Sequence, residues 1–250
     1  MRPLIKGRYR VRFASSPADV EAAQRLRHRC FIATAGGAEQ AGGRDMDAFD
    51  ALCRHVLVEE VGSGRLMCCF RLLPLRGGPE LGRSYSAQYY DLSSLERFAG
   101  PMVEVGRFCI RPDCRDPDIL RVAWGAMTRF VDGQRAELLF GCTSFPGTRT
   151  EDHLDAFALL RARHLAPPRW QPGVKAPEVF RFAHALRHRP DPRRALKAMP
   201  PLLRSYLAMG GWVSDHAVID RALGTVHVFT GLEVRAIPPS RVRVLRAIAG

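Results

Sequence analysis

Two stretches of this sequence place charged residues at spacings that could handle a substrate. Asp45, Asp47 and Asp50 bring three carboxylates together within six residues, and such a group could bind a cation or a substrate amine. They do not fit the calcium-binding EF-hand loop, which needs a glycine at its sixth position and a glutamate at its twelfth. Further along, Glu104 and Arg107 lie close together in a strand-like run. Both stretches are therefore candidate site segments.

The run from 103 to 110 predicts the β-strand that carries the second stretch. Strict alternation of side chains would put Glu104 and Arg107 on opposite faces of a regular strand. A β-bulge at Gly106 would bring both toward one site, because a bulge adds a residue to one strand and redirects the side chains beyond it. An ion pair at a sheet edge would explain the same two residues without a catalytic role. A shared site therefore needs either the bulge or a division of labour between the two faces of the strand.

Other periodic segments predict the elements that must position these residues. Ser16 is placed to cap a helix, and along that helix Arg27 and Phe31 lie one turn apart on one face. A glycine-containing turn at 62–64 predicts a hairpin, whose second strand carries Arg71. The remaining predicted elements are a helix starting at Asp116–Pro117, helices at 152–164 and 195–209, and strands at 138–142, 179–183 and 225–232.

This order of elements predicts the fold class. A succession of strand, helix, hairpin, strand, helix, strand and helix is typical of an α/β (α+β) fold with a mixed central sheet flanked by helices. With 250 residues, the chain is long enough for one large domain or two small ones. Because no internal repeat or long linker divides it, we predict one domain over residues 1–250, with about 170–250 as a C-terminal elaboration.

The chain is strongly basic, with a formal net charge of +13 and a pI of about 10.2. Between Arg161 and Arg204, eleven lysines and arginines stand against only Glu178 and Asp191, a net charge of +9. Such a charge predicts an acidic partner, either nucleic acid, anionic lipid or an acidic protein. A solvated basic surface without a partner is the alternative.

The cysteines and the hydropathy pattern indicate the compartment. Seven cysteines occur without a C-x-x-C or zinc-binding spacing, and no signal peptide is recognised, so we expect reduced thiols, no metal and a cytoplasmic location. No apolar stretch approaches the ~20 residues that span a bilayer. Peripheral contact with the inner membrane stays open.

A set of seven residues in the first 107 positions resembles the substrate-handling set of acyl-carrier-protein-dependent N-acyltransferases. The set consists of Arg27, Phe31, Asp47, Asp50, Arg71, Glu104 and Arg107. It is similar to the motif shared by acyl-homoserine-lactone synthases and by the ornithine N-acyltransferases of ornithine-lipid synthesis, both in the GCN5-related N-acetyltransferase (GNAT) superfamily. The lactone synthases carry a tryptophan shortly after the phenylalanine, where this chain has a Gly/Ala-rich loop at 35–43. Stretches at 140–147, 200–211 and 219–225 resemble the ornithine enzymes.

The resemblance implies a GNAT-like fold, in which a bulged, splayed central strand leads through a turn into a helix N-terminus. The pantetheine arm of a thioester donor would lie along the splay, with its phosphate at that helix N-terminus. The usual Gly-rich phosphate loop is absent, and Arg111, Arg115 and Arg121 could partly replace it, with Arg111 and Arg115 as the residues that would bind the phosphopantetheine. The resemblance also implies acyl carrier protein as the donor partner, L-ornithine as the acceptor and no tightly bound cofactor.

The implied reaction is aminolysis of a thioester, and it suggests roles for the seven residues. An amine must be neutral to attack, so a base must take its proton, and Glu104 acting with a water is the catalytic candidate. Asp47 and Asp50 would orient the ammonium group of the acceptor. Arg71 or Arg107 would pair with the acceptor carboxylate, which suits a guanidinium.

Several alternatives remain open at this point. Arg27 and Asp50 could form an internal ion pair that shapes the pocket, and Phe31 could serve only in packing. The chain could also be an acyl-homoserine-lactone synthase that uses S-adenosylmethionine, or a non-catalytic basic module that binds anionic lipid or nucleic acid. Nucleic acid is not expected, because the sequence contains no recognised nucleic-acid motif and no stacking cluster of aromatic residues.

Overall fold

Helices and strands cover most of the computed structural model, which describes residues 3–33 and 42–250. Most of the loop predicted at 35–43 lies outside these residues. The strands are β1 Leu4–Lys6, β2 Tyr9–Phe13, β3 Arg54–Glu60, β4 Leu66–Leu75, β5 Tyr90–Asp91, β6 Met102–Ile110, β7 Leu138–Pro146, β8 Gly173–Val174, β9 Val179–Phe180, β10 Trp212–Asp220 and β11 Thr225–Glu233. The α-helices are α1 Pro17–Arg27, α2 Pro117–Gln134, α3 Leu154–Arg163, α4 Phe182–Ala185, α5 Pro192–Ala198, α6 Pro201–Ala208 and α7 Pro239–Ala249.

Short helical turns connect these elements. A π-helix, His28–Ala33, continues α1. The 3-10 turns are Ala48–Ala51, Gly78–Arg83, Ser86–Gln88, Ser93–Leu95, Thr150–His153, Pro168–Trp170 and Val234–Ala236. The predicted helix starts are confirmed, because the side chains of Ser16 and Asp116 accept backbone hydrogen bonds at the N-termini of α1 and α2.

The strands form a nine-stranded sheet in the order β1-β2-β3-β4-β6-β7-β11-β10-β9. Neighbouring strands are antiparallel, apart from the parallel pair β6 and β7. β5 and β8 form a separate two-stranded sheet. The predicted α/β fold with a mixed central sheet is therefore confirmed.

The central sheet opens between β6 and β7. Within the described residues, their parallel pairing ends at Glu104 and Phe140, whereas β7 continues to Pro146 in pairing with β11. Gly141 lies where the two strands part, and a Cβ atom there would come within 2.2 Å of the carbonyl oxygen of Val105. Glycine at this position lets the two backbones stay close at the start of the opening.

β6 also carries the expected bulge. Across from β4, two residues, Arg107 and Phe108, oppose the single residue Phe70. Arg107 has a φ of 52°, a left-handed conformation that costs on the order of 1–3 kcal/mol for a residue with a side chain. The bulge thus lies one residue beyond the predicted position at Gly106, since Arg107 itself takes the unusual conformation. Its side-chain contacts, described below, stabilise it there.

Apolar layers cover the two faces of the sheet around β6. Val103 and Val105 pack toward Ile119 of α2 in one core. Phe140 belongs to a second core on the other face. Because side chains alternate along a strand, Glu104 points away from α2 and toward the second core.

The C-terminal region differs in part from the sequence prediction. The helix expected at 195–209 is two helices, α5 and α6, because Pro200 and Pro201 interrupt the hydrogen-bond ladder. The strand expected at 179–183 ends at Phe180. β10 and α7 were not predicted at all. β9, β10 and β11 extend the central sheet, while the proposed division into one domain with a C-terminal elaboration stays a prediction.

Candidate active site

Three arginines and three aspartates form a buried cluster beside β6, which we call the Arg–Asp network. Its members are Arg27, Arg71, Arg107, Asp45, Asp47 and Asp50. Arg27, fully buried at the end of α1, donates to Asp45 Oδ2 at 2.9 Å and to Asp50 Oδ1 at 2.6 Å. Arg71 of β4 donates to Asp50 Oδ1 at 2.8 Å and also to both oxygens of Asp47. The network ties α1, β4 and the segment 45–51 together.

The bulge brings Arg107 into the same network. Its Nε donates to Asp45 Oδ2 at 2.9 Å, and its Nη2 donates to Asp47 Oδ2 at 3.1 Å. The guanidinium carbon also lies 4.7 Å from the ring centre of Tyr85, a cation–π distance. These contacts offset the backbone strain of the left-handed residue.

The arginines keep the network carboxylates charged. Burial raises the pKa of Asp50, but the hydrogen bond and charge of Arg27 outweigh burial, so the net pKa lies below its ordinary value. The pKa of Asp47 is lowered in the same way, with burial again opposed by Arg71. Their contact with an acceptor ammonium stays a prediction. Asp45, which is not in the predicted substrate-binding set, belongs to the same network.

Glu104 is buried, with 4% of its surface exposed, and anchors a turn. Its Oε1 accepts hydrogen bonds from the Ser86 amide at 2.7 Å and the Ser86 hydroxyl at 2.6 Å. Its Oε2 accepts one from the Tyr85 amide at 2.9 Å. A carboxylate has about four lone-pair sites, so one site on Oε2 is left to take a proton. Burial raises the pKa of Glu104, and the hydrogen bonds from Ser86 and Tyr85 only partly oppose this.

Glu104 and Arg107 therefore both contact Tyr85. Glu104 binds the backbone amide of Tyr85, while Arg107 lies over its ring. The bulge removes the conflict that strict alternation would create, because both side chains reach the same side of the sheet. Neither Tyr85 nor Ser86 belongs to a sequence motif, so the sequence does not predict a role for them.

A cavity of about 300 Å³ occupies the opening between β6 and β7. Of the seven predicted residues, Phe31, Glu104 and Arg107 line it, and the other four lie behind in the Arg–Asp network. The remaining polar lining residues include Tyr85, Cys142, Thr143, Ser144, Asp220, His227 and Thr230. The apolar lining includes Phe108, Ile110, Leu120, Leu202, Leu223 and Tyr206. The space thus combines a buried carboxylate and a guanidinium with an apolar wall.

The predicted phosphopantetheine-binding residues lie outside this lining. Arg111 donates to both oxygens of Asp113 at 2.8 Å, and Arg115 is exposed in the turn that leads to α2. Asp116 caps that helix and Asp118 lies in its first turn, where a carboxylate already interacts with the helix dipole. Phosphate binding by Arg111 and Arg115 stays a prediction.

Replacing Ser86 with alanine should shift the pH dependence of activity. If Glu104 is the base, activity is lost as the pH falls through its pKa, which burial already raises. Removing the hydroxyl donor destabilises the carboxylate, so its pKa rises further and the acid limb of kcat/KM moves up by about one pH unit. Exposed Ser93 provides the control, since Ser93→Ala should leave the limb in place. An acid limb that stays or moves to lower pH in Ser86→Ala would contradict this role for Glu104.

Comparisons with known proteins identify the class. The family model described as an acetyltransferase (GNAT) domain matches residues 26–125. The solved structure of FeeM, an N-acyl amino acid synthase from uncultured soil microbes, covers 92% of this chain and 94% of its own chain, with a TM-score of 0.52 and 10% identity. That likeness concerns the fold alone. Together with the splayed sheet, these matches define a GNAT-like fold.

More similar relatives identify the family. The L-ornithine N(alpha)-acyltransferase of Rhodobacter capsulatus is 33% identical over 92% of this chain and 91% of its own length. The enzyme of the same name from Rhizobium meliloti is 31% identical over 96% of this chain and 85% of its own length. The chain therefore belongs to the L-ornithine Nα-acyltransferase family. It is an N-acyltransferase that acts on an amino acceptor, which confirms the family predicted from sequence.

The length and hydropathy of the helices decide whether any of them could cross a membrane. None of those described within 3–33 and 42–250 is both long and apolar enough to cross a membrane.

Proposed function

We propose that this protein transfers a 3-hydroxyacyl chain from acyl carrier protein to the α-amine of L-ornithine, giving lyso-ornithine lipid. The observation that carries the proposal is the position of Glu104, a buried carboxylate at the opening of the splayed sheet, in a chain whose relatives are named for this acceptor. The α-amine must lose a proton to attack the thioester. Glu104, with its remaining lone-pair site and raised pKa, accepts it directly or through a water.

The opening of the sheet offers backbone N–H groups that would stabilise the tetrahedral intermediate. Beyond Glu104, the edge of β6 that faces the gap is not paired with β7 among the described residues. Its backbone N–H groups are candidates to stabilise the oxygen that gains negative charge during attack. The thiol of the carrier's pantetheine then leaves as the amide bond forms.

Arg107 is the favoured partner of the acceptor carboxylate. It lines the cavity, and Asp45 and Asp47 hold its guanidinium in place. Arg71 was the other sequence-based choice, but it lies in the Arg–Asp network outside the lining residues. Asp47 thus helps to hold Arg107 in place, and its contact with the acceptor ammonium stays a prediction.

A groove beside the cavity supports an acidic carrier protein as the donor. It lies between α2, α6 and α7 and shares Leu120 and Pro201 with the cavity. Arg121, Arg204 and Arg241 also line it. Positive side chains at the mouth of an apolar site match an acidic protein that delivers an acyl chain.

Charge reversal of Arg204 and Arg241 together should raise the KM for the acyl carrier substrate by about tenfold, because the attraction that assists docking becomes repulsion. The KM for ornithine should stay unchanged. Reversal of Arg187 and Arg189, which are exposed elsewhere in the basic stretch 161–204, gives a matched control. If the control pair raises this KM and the groove pair does not, the carrier docks on the wider basic stretch instead of the groove.

The product is an amphiphile, and this supports loose contact of a cytoplasmic enzyme with the inner membrane. α7 is the candidate element when no carrier protein is docked, because its exposed Val244 and Arg241, which line the groove, lie beside Arg243. Such a pattern suits the surface of an anionic bilayer.

An acyl-transfer assay tests the proposal. Purified protein receives 3-hydroxyacyl carrier protein and, separately, ornithine, lysine or S-adenosylmethionine, and the products are identified by mass. Acylated ornithine with release of free carrier protein is the expected result. A lactone product from S-adenosylmethionine would place the chain with the signalling synthases, and acylated lysine in preference to ornithine would change the acceptor.

A further inference from the structure

Asp220, at the end of β10, is a buried carboxylate that lines the cavity and lacks a full set of partners. Only 4% of its surface is exposed. Its Oδ1 accepts a hydrogen bond from the Leu223 amide at 3.0 Å, but its Oδ2 has no hydrogen-bond partner in the part of the chain that the structure describes. A buried carboxylate oxygen without a donor is costly, so this one calls for a ligand.

His227, on the neighbouring strand, presents a second acceptor to the same cavity. The Tyr90 hydroxyl donates to the His227 carbonyl oxygen at 2.9 Å and lies 3.1 Å from His227 Nδ1. A hydroxyl has only one hydrogen, and Tyr90 gives it to the carbonyl oxygen. The contact with the ring therefore uses a hydrogen on Nδ1, which leaves Nε2 with a free lone pair. Nε2 also lacks a partner among the described residues. Burial, assisted by the charge of Arg107, lowers the pKa of His227 to about 3, so the ring is neutral.

The strand register places these two acceptors away from the reacting centre. Glu104 is the last residue of β6 that pairs with β7. On β11, His227 pairs with Ser144, which lies further along β7. On its other side, His227 pairs with Val218 of β10, and Asp220 follows two residues later on that strand. Partners across a sheet and alternate residues along a strand share a face, so Glu104, His227 and Asp220 lie on the same face. The cavity therefore has the candidate base near one end and two free acceptors toward the other.

Two free acceptors fit a ligand that brings its own positive charge. Arg107 is the one cationic side chain among the described lining residues, and Asp45 and Asp47 already bind it. Ornithine carries a second amine at the end of its side chain, protonated at neutral pH. We propose that Asp220 Oδ2 and His227 Nε2 form the subsite that binds this side-chain ammonium group, and so direct the α-amine to Glu104. The inference rests on the proposed function, because it assumes a diamino acid as acceptor.

The test compares ornithine with L-norvaline, which has the same carbon chain without the side-chain amine. Wild-type protein with 3-hydroxyacyl carrier protein should prefer ornithine in kcat/KM by roughly 10- to 100-fold, the worth of a hydrogen-bonded charge. Asp220→Asn should remove most of that preference by raising the KM for ornithine. Exposed Asp152 supplies a control, because Asp152→Asn should leave the preference intact.

The outcomes separate the subsite from the proposed function. If wild-type protein acylates norvaline as well as ornithine, the subsite is wrong while ornithine acylation stands. An equal loss for both acceptors in Asp220→Asn also overturns the subsite, since it shows a role in folding or in the chemical step. A wild-type protein without a preference for ornithine overturns the subsite even if the variant fails to fold. If wild-type protein acylates neither acceptor, the proposed function itself fails, and the subsite with it.

Discussion

Replacing Glu104 with glutamine is expected to lower kcat by about 100-fold or more, within the range that general bases contribute. Glutamine keeps the size of the side chain and can still accept a hydrogen bond from the turn at Tyr85 and Ser86. It cannot take a proton from the acceptor amine at neutral pH. Steady-state kinetics with saturating ornithine and acyl carrier substrate measure the effect.

The same variant must be shown to be folded, because Glu104 has a structural task as well. Its carboxylate binds two backbone amides and one hydroxyl. A melting temperature near that of the wild type, together with unchanged KM values, would separate the loss of a base from the loss of the turn. A folded variant that keeps kcat within threefold would show that Glu104 only anchors the turn.

Replacing Arg27 with alanine is expected to lower the free energy of unfolding by about 3–5 kcal/mol. Arg27 is fully buried and bridges Asp45 and Asp50. Its removal leaves two buried carboxylates short of a counter-charge, which costs far more than the contact of an exposed pair. Urea denaturation at neutral pH measures the change.

Arg25 provides a matched control two residues earlier on α1. It pairs with Glu21, and its side chain is 60% exposed. Surface substitutions of this kind change stability by about 0.5 kcal/mol or less. If Arg27→Ala were as mild as Arg25→Ala, the Arg–Asp network would contribute little to the fold, and a direct role of its members in binding substrate would become the better explanation.

Much of the fold could be predicted from the sequence because local patterns and global structure agree. The run at 103–110 predicted β6. Strict alternation would put Glu104 and Arg107 on opposite faces, so a site shared by both predicted a bulge. The proline and cap residues at 116–117 located the start of α2. The motif in the first 107 residues led to the family that the relatives confirm.

Other features of the fold and the site could not be predicted from the sequence and became apparent only in the structure. β10 was missed because a strand buried on both faces shows no alternation. The division of the seven residues into cavity lining and supporting network depends on side-chain directions that spacing alone does not give. Asp220 lies in a stretch that was noted for its resemblance, but its free oxygen becomes apparent only when β10 and β11 are placed beside β7.

The central claim is that the cavity joins the thioester acyl group to the α-nitrogen of ornithine. The most direct test is a reaction with ornithine labelled with ¹⁵N at the α-position, followed by fragmentation of the product in a mass spectrometer. We expect the label in the amide nitrogen and an unlabelled, free side-chain amine. An unlabelled amide would show that the side-chain amine attacks, and would contradict both the placement of the acceptor and the role given to Asp220.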